Sequence, residues 1–284
     1  LIQAFSALAA GGAIVCAQYI GQRNYEKANM SARQVLFIIT AISVVVSAVC
    51  LIFQKPLLRL IFGAVDADVM RASEIYFFFT ALSFPFIAAY DSAASIFRAQ
   101  ENTKGPMTIS MISNIMNIGG NAVLIWVFHL GVAGAAISTL VSRIFCAVVV
   151  LWQLRKDRQP VVVRDYLKIR PDWSMIGRIL GLGIPSGIEN SMFQLGKLAI
   201  QSTVSTLGTA AIAAQAMTNI LENLNGIAAI GVGVGLMTIV GQCLGAGRKD
   251  EAVYYIKKLC VIAEIVIIVS CLTVYALARP VTIL

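Results

Sequence analysis

Ala17-Gln18-Tyr19-Ile20-Gly21-Gln22-Arg23-Asn24-Tyr25-Glu26-Lys27-Ala28 returns near the other end of the chain as Gly241-Gln242-Cys243-Leu244-Gly245-Ala246-Gly247-Arg248-Lys249-Asp250-Glu251-Ala252. At one constant offset Gln18 meets Gln242, Gly21 meets Gly245, Ala28 meets Ala252, and Glu26 keeps its charge as Asp250. The same offset pairs Pro56 with Pro280 after a further apolar run. A generic turn at a membrane surface accounts for one copy but not for two in register, so the pair reads as an internal duplication. Each copy also marks a boundary. An apolar run ends at a Gln, Gly21 or Gly245 releases the helix by taking the left-handed position that follows it, and the Arg and Lys beyond complement the negative end of the helix dipole.

Working outward, 58% of the 284 residues are hydrophobic and only 13% are charged, where about a quarter is usual for a soluble domain. The composition places the chain in a bilayer. Its net charge of +8 sits in short gaps between apolar runs, so the basic residues act as topology signals and not as a nucleic-acid surface. Cys16, Cys50, Cys146, Cys243, Cys260 and Cys271 all fall inside apolar segments, which suits small packing residues and not a disulfide framework or zinc site. With His129 as the one histidine, and no H-E-x-x-H or G-x-S-x-G pattern, an enzyme is not expected. Gly231, Gly233 and Gly235 lie in an apolar run with no strand before them, so they are not a dinucleotide loop. Gly231/Gly235 and Gly183/Gly187 are instead expected where helices approach closely.

About 20 apolar residues cross a bilayer as a helix. Eight segments qualify: Leu1–Gly21, Val35–Phe53, Glu74–Phe97, Thr108–His129, Val132–Trp152, Ile176–Thr206, Ala210–Gly241 and Tyr254–Leu277. The fold class is therefore all-α, a polytopic transmembrane helix bundle, with tight hairpins expected at Leu130-Gly131 and Leu207-Gly208-Thr209. An even number of crossings separates the two copies, so both face one side and the halves are parallel repeats about an axis along the membrane normal. That side holds Arg23, Lys27, Arg33, Arg98, Lys104, Arg178, Arg248, Lys249, Lys257, Lys258 and the connector Gln153–Met175, with Arg155, Lys156, Arg158, Arg164, Lys168 and Arg170. The opposite side has Lys55, Arg59, Arg71 and Arg279. The imbalance makes the repeated stretch cytoplasmic.

Three divisions follow: an incomplete N-terminal lobe at 1–152, a cytoplasmic linker at 153–175 and an incomplete C-terminal lobe at 176–284. The chain opens on a Leu inside an apolar run, without the charged start of a signal peptide. The offset places missing counterparts before residue 1 and after residue 284, so the chain is expected to supply the middle eight helices of two six-helix lobes.

The doubled G-Q-x-x-G stretch, Phe97-Arg98-Ala99-Gln100-Glu101-Asn102-Thr103-Lys104-Gly105-Pro106, Gly131-Val132-Ala133-Gly134-Ala135-Ala136-Ile137-Ser138-Thr139 and Gly183-Ile184-Pro185-Ser186 together resemble the multidrug and toxic compound extrusion (MATE) family. The resemblance implies two lobes in a V and export of organic, often cationic, compounds in antiport with protons or sodium. By the same resemblance the segments are family helices two to six and seven to nine. Members often carry an acid in the first and tenth helices, neither of which lies in this chain. Members commonly have Gly where Glu101 stands, a change read as harmless in a cytoplasmic loop. The expected partners are small organic substrates and membrane lipids, with no nucleic acid and no cofactor beyond the coupling ion, in a monomer. The expected location is a bacterial cytoplasmic (inner) membrane, with the loops 22–34, 98–107, 153–175 and 246–253 in the cytoplasm. A flippase for lipid-linked sugars in the same superfamily is the alternative, and it calls for a more cationic cavity than Lys197 and Arg143 provide.

Charged residues inside apolar spans face a cavity or a partner. Asp91, Arg143, Glu189, Lys197, Glu222 and Glu264 are the candidates. Asn190, Gln194, Lys197 and Gln201 fall at i, i+4, i+7 and i+11, one polar stripe with Glu189 beside it, and Gln215, Asn219, Glu222 and Gly226 repeat the spacing next to Asn223. Such stripes line a water-filled cavity or join helices by hydrogen bonds. Asn114, Asn117 and Asn121 are better read as such joints. Glu189 lies just past a helix break expected at Pro185, where freed carbonyls commonly line a site, and is the candidate ion-coupling acid. Lys197 and Glu222 are expected either in the cavity or as an ion pair between neighbouring helices. Asp91, six residues after Pro85, is a further carboxylate, Glu264 has no assigned role, and Met192, Met217 and Met237 read as packing.

Overall fold

The computed structural model describes residues 2–62, 67–156, 159–163, 171–205 and 207–283. Leu1, Arg158, Arg164, Lys168, Arg170 and Thr206 lie outside the described residues, as do the side chains of Arg279 and Pro280. In chain order the helices are α1 (Ile2–Gly21), α2 (Tyr25–Ile52), α3 (Gln54–Phe62), α4 (Ala67–Leu82), α5 (Phe84–Ala99) and α6 (Lys104–Ala122), the last continued by a π-helical turn at Val123–Val127. Then come α7 (Gly131–Leu154), α8 (Trp173–Ser205), α9 (Thr209–Gly245) and α10 (Lys249–Ile283). No strand occurs among the described residues.

Among the described residues, six helices are long and apolar enough to cross a membrane: α1, α2, α6 with its π turn, α7, α9 and α10. The expected segment Glu74–Phe97 is instead a broken span, with α4 and α5 meeting at an angle of 41°. Pro85 withholds a backbone donor, and Arg143 Nη1 donates to Ser83 Oγ across 2.5 Å at the break. Helix α8 has the length, at 33 residues, but its polar stripe keeps it outside the apolar set. It also runs unbroken through Pro185, contrary to the expected break. The two short connections hold as turns, with Gly131 (φ +52°) and Gly208 (φ +100°) in left-handed backbone.

The chain packs as two units, Leu1–Cys16 with Tyr25–Gly187, and Ala17–Asn24 with Ile188–Leu284. These are packing units, and the lobes of the duplication are a different division of the chain. In the first unit α5 lies between α2 and α7, while α4 and α6 pack on α7. Its core includes Ile39, Ile96, Phe97 and Val150, all fully buried. Small residues on α5 let its neighbours come close, and its buried serines turn back on their own helix, Ser92 to Ala88 O and Ser95 to Ser92 O. Helices α1 and α8 cross so tightly that a Cβ on Gly11 would stand 2.7 Å from Gly183 N, and one on Gly183 3.0 Å from Leu8 Cα. Gly183 thus has the role expected of it. Gly231 and Gly235 do not show it, because among the described residues nothing lies within 4 Å of a Cβ on either.

Part of the connector is docked onto this unit. Val161 and Val163 are fully buried, and three backbone amides are held: Val161 N by Gln100 Oε1, Val162 N by Asn29 Oδ1 and Val163 N by Leu154 O. The connector is therefore anchored over 161–163.

In the second unit α9 packs on α10, and the two copies of the repeated stretch meet. A Cβ on Gly21 would collide with Gln242 O, and one on Gly245 with Gln18 O. The contact is reciprocal, as an axis relating the copies requires. It also changes the expected role of these glycines, since both lie within their helices and the left-handed residues are Arg23 (φ +58°) and Gly247 (φ +76°). Each closes the same cap. Asn24 N bonds Tyr19 O and Arg23 N bonds Ile20 O, while Arg248 N bonds Cys243 O and Gly247 N bonds Leu244 O. A third cap of this kind ends α5, with Glu101 at φ +62°, Asn102 N on Phe97 O and Glu101 N on Arg98 O. Glu101 is therefore not a neutral change from Gly, because it stands where a side chain is disfavoured.

Candidate functional site

Asp172 caps the start of α8 by accepting from Ser174 N and Met175 N through Oδ1. From there the helical period brings Gln194, Lys197 and Gln201 of α8 to one face, and α9 presents Gln215, Asn219, Glu222 and Asn223. These residues line a cavity of about 660 Å³ in the second unit, within the size range of drug-sized ligand sites. Inside it Lys197 Nζ and Glu222 Oε1 are 2.9 Å apart, with side chains 36% and 50% exposed. The ammonium also lies 5.1 Å from the ring centre of Phe193, a weak cation–π contact.

Five of the expected site residues thus come together: Gln194, Lys197, Gln215, Asn219 and Glu222. Glu189 and Asn190 are exposed on the preceding turns of α8 and are not part of this lining. Asp91 belongs to the first unit, where Ser6 Oγ donates to its Oδ2 at 2.6 Å. Arg143 braces the break at Ser83, and Glu264 is exposed on α10. Of the asparagines of α6, Asn117 acts as a joint to α7, its Nδ2 donating to Thr139 Oγ1 and its backbone O accepting from Ser138 Oγ, whereas Asn121 Nδ2 donates to Asn117 Oδ1 within α6 and Asn114 is exposed.

Among the lining residues that sequence reasoning missed, beside Gly196, Leu198 and Ile200, is Phe193. Its signal was available, four residues before Lys197 on the same helical face, but an aromatic in an apolar run has no mark that separates lining from packing.

The arrangement is chemically even-handed. Each amide offers both donors and an acceptor, so the stripe hydrogen-bonds groups of either sign, and the two charges supply one of each. A reversible ligand site fits such a lining. A second recess, about 620 Å³, opens where the two copies meet and is lined by Gln22, Arg23, Gln242, Arg248 and Glu251 among others. There Arg248 pairs with Glu251 at 3.4 Å.

A family model described as MatE matches residues 1–123 and 185–284. The chain is 27% identical over 252 residues to the probable multidrug resistance protein YoeA of Bacillus subtilis, covering 86% of this chain and 54% of that protein. It is 25% identical over 255 residues to the probable multidrug resistance protein NorM of Thermotoga maritima, covering 87% and 53%. The chain therefore spans about half the length of the curated relatives it matches. A crystal structure of MATE in complex with MaL6 superposes with a TM-score of 0.91 at 19% identity, over 99% of this chain and 62% of that one.

Proposed function

The chain belongs to the MatE family of membrane transporters, which are not enzymes, and from that premise we propose that the full-length protein exports small organic, often cationic, compounds in antiport with protons or sodium. The observation that carries the reading is the cavity of α8 and α9, where Lys197, Glu222 and a stripe of amides line one space, α9 being long and apolar enough to cross a membrane. Polar and charged groups within a membrane-spanning segment are costly unless they serve a ligand or a partner. The drug-resistance names of the relatives point the same way.

Transport proceeds by alternating access. An ion or substrate moves the equilibrium between outward-open and inward-open states only by the difference in its affinity for the two. Glu189, exposed on α8 just past Pro185, is the proposed coupling acid, and Asp91, held by Ser6, is a second carboxylate for the same task. The protein works as a monomer, needs no cofactor beyond the coupling ion, and sits in a bacterial cytoplasmic membrane with the repeated stretch and the 98–107 and 153–175 loops inside. Flipping of lipid-linked sugars is not favoured, because a pyrophosphate headgroup needs several cations and the lining carries Lys197 paired to Glu222.

The test is efflux of a fluorescent organic cation from efflux-deficient bacteria expressing the full-length protein, with the proton or the sodium gradient collapsed in turn. Efflux that stops with one of the two supports antiport, and efflux that survives loss of both overturns it. Glu189→Gln is expected to weaken the gradient dependence. Gradient-driven efflux unchanged by that substitution removes Glu189 from the coupling role.

A further inference from the structure

We propose that the recess where the two copies of the repeated stretch meet is a binding site for a phosphate monoester, because each copy brings one guanidinium to its lining, Arg23 from the first and Arg248 from the second. Both parts of the lining belong to the second unit, and the recess, at about 620 Å³, has room for a phosphate and the group that carries it.

The first copy supplies its arginine at a conformational cost. Its helix cap needs a left-handed residue, and the second copy fills that position with Gly247, which takes the conformation almost freely. Arg23 holds the same backbone at φ +58°, against the preference of a residue with a side chain, and so adds a charge to the lining where a glycine would add none. Among the described residues its guanidinium has no ion-pair partner. Arg248 is held only loosely, its Nη1 standing 3.4 Å from both carboxylate oxygens of Glu251 with both side chains more than half exposed. Two arginines against that one carboxylate leave the lining positive. The last carbonyls of α1 and α9, which would repel an anion, are taken up by the cap hydrogen bonds of Arg23, Asn24, Gly247 and Arg248. Each planar fork matches two oxygens of a phosphate, and a dianionic monoester has enough for both forks. A ligand gripped from both copies binds the state in which they touch and favours it over any in which they part.

The bilayer and the aqueous phase both offer this group, and the recess lies at the ends of α1 and α9, two helices fit to cross a membrane. The test follows the melting temperature of the detergent-purified full-length protein against the concentration of dioctanoyl phosphatidic acid, glycerol 3-phosphate or dioctanoyl phosphatidylcholine. Phosphatidic acid is expected to raise it by at least about 2 °C, and phosphatidylcholine, a diester with a neutral headgroup, to leave it unchanged. A rise with glycerol 3-phosphate as well shows that the phosphate alone suffices, and a rise with phosphatidic acid only makes the lipid the source. Arg23→Gly is the decisive variant, since it gives the cap its favoured residue while removing the guanidinium. It is expected to weaken binding at least about ten-fold. Glu251→Gln releases Arg248 and is expected to strengthen binding. No rise with either phosphate monoester, an equal rise with phosphatidylcholine, or an undiminished response in Arg23→Gly overturns the proposal.

Discussion

The first copy of the repeated stretch ends its helix on Arg23 and the second on Gly247, yet both residues take left-handed backbone and close the same pair of hydrogen bonds. For an L-residue with a side chain that conformation costs about 1 kcal/mol, and for Gly almost nothing. The first copy carries the cost and keeps the geometry. What fixes it is the contact two residues earlier, where Gly21 rests on Gln242 and Gly245 on Gln18 with no room for a Cβ. Position in the packed pair, more than local preference, decides how both helices end.

The sharpest way to break this symmetry is to fill the contact. Gly21→Val and Gly245→Val are each expected to destabilise the full-length protein by about 3 kcal/mol, since the obstacle is backbone that cannot step aside. Both would be read as a lowered melting temperature in detergent. A large loss in one copy and none in the other would mean that the contact is not shared. Next in size, Gly247→Ala is expected to cost about 1 kcal/mol by placing a side chain at the left-handed position.

The opposite change sharpens the comparison. Arg23→Gly is expected to raise stability by about 0.5–1 kcal/mol, and Glu101→Gly to do the same at the end of α5. A lower melting temperature for Arg23→Gly would show that the arginine side chain gives more than its backbone costs. The smallest effect belongs to Arg248→Gln. Its pairing with Glu251 at 3.4 Å is exposed, so the change is expected to stay within about 0.5 kcal/mol, and a larger shift would point to a role at the recess where the copies meet.

The spans and the duplication were legible because long apolar runs and a fixed offset are signals carried by many residues at once. The cavity stripe was legible for a related reason: Gln194, Lys197, Gln215, Asn219 and Glu222 stand out against apolar helices at helical spacing. Single-residue assignments fared worse. A Gly that permits a close approach and a Gly that permits a left-handed turn look identical in sequence, so sequence alone assigns to Gly21 and Gly245 the role that belongs to Arg23 and Gly247. Gly231 and Gly235 have the spacing of a helix contact, yet among the described residues no atom stands within 4 Å of a Cβ built on either. The break at Ser83 depends on Arg143, sixty residues away, which no local pattern announces. Pro185 misled in the other direction, since α8 tolerates the lost bond and continues.

The seated valines of the connector have a consequence for how much leash separates the flanking helices. With Val161 and Val163 buried and their amides gripped by Gln100 and Leu154, chain length between Leu154 and Val161 is slack already reeled in. A flexible insertion there lengthens a loop pinned at both ends.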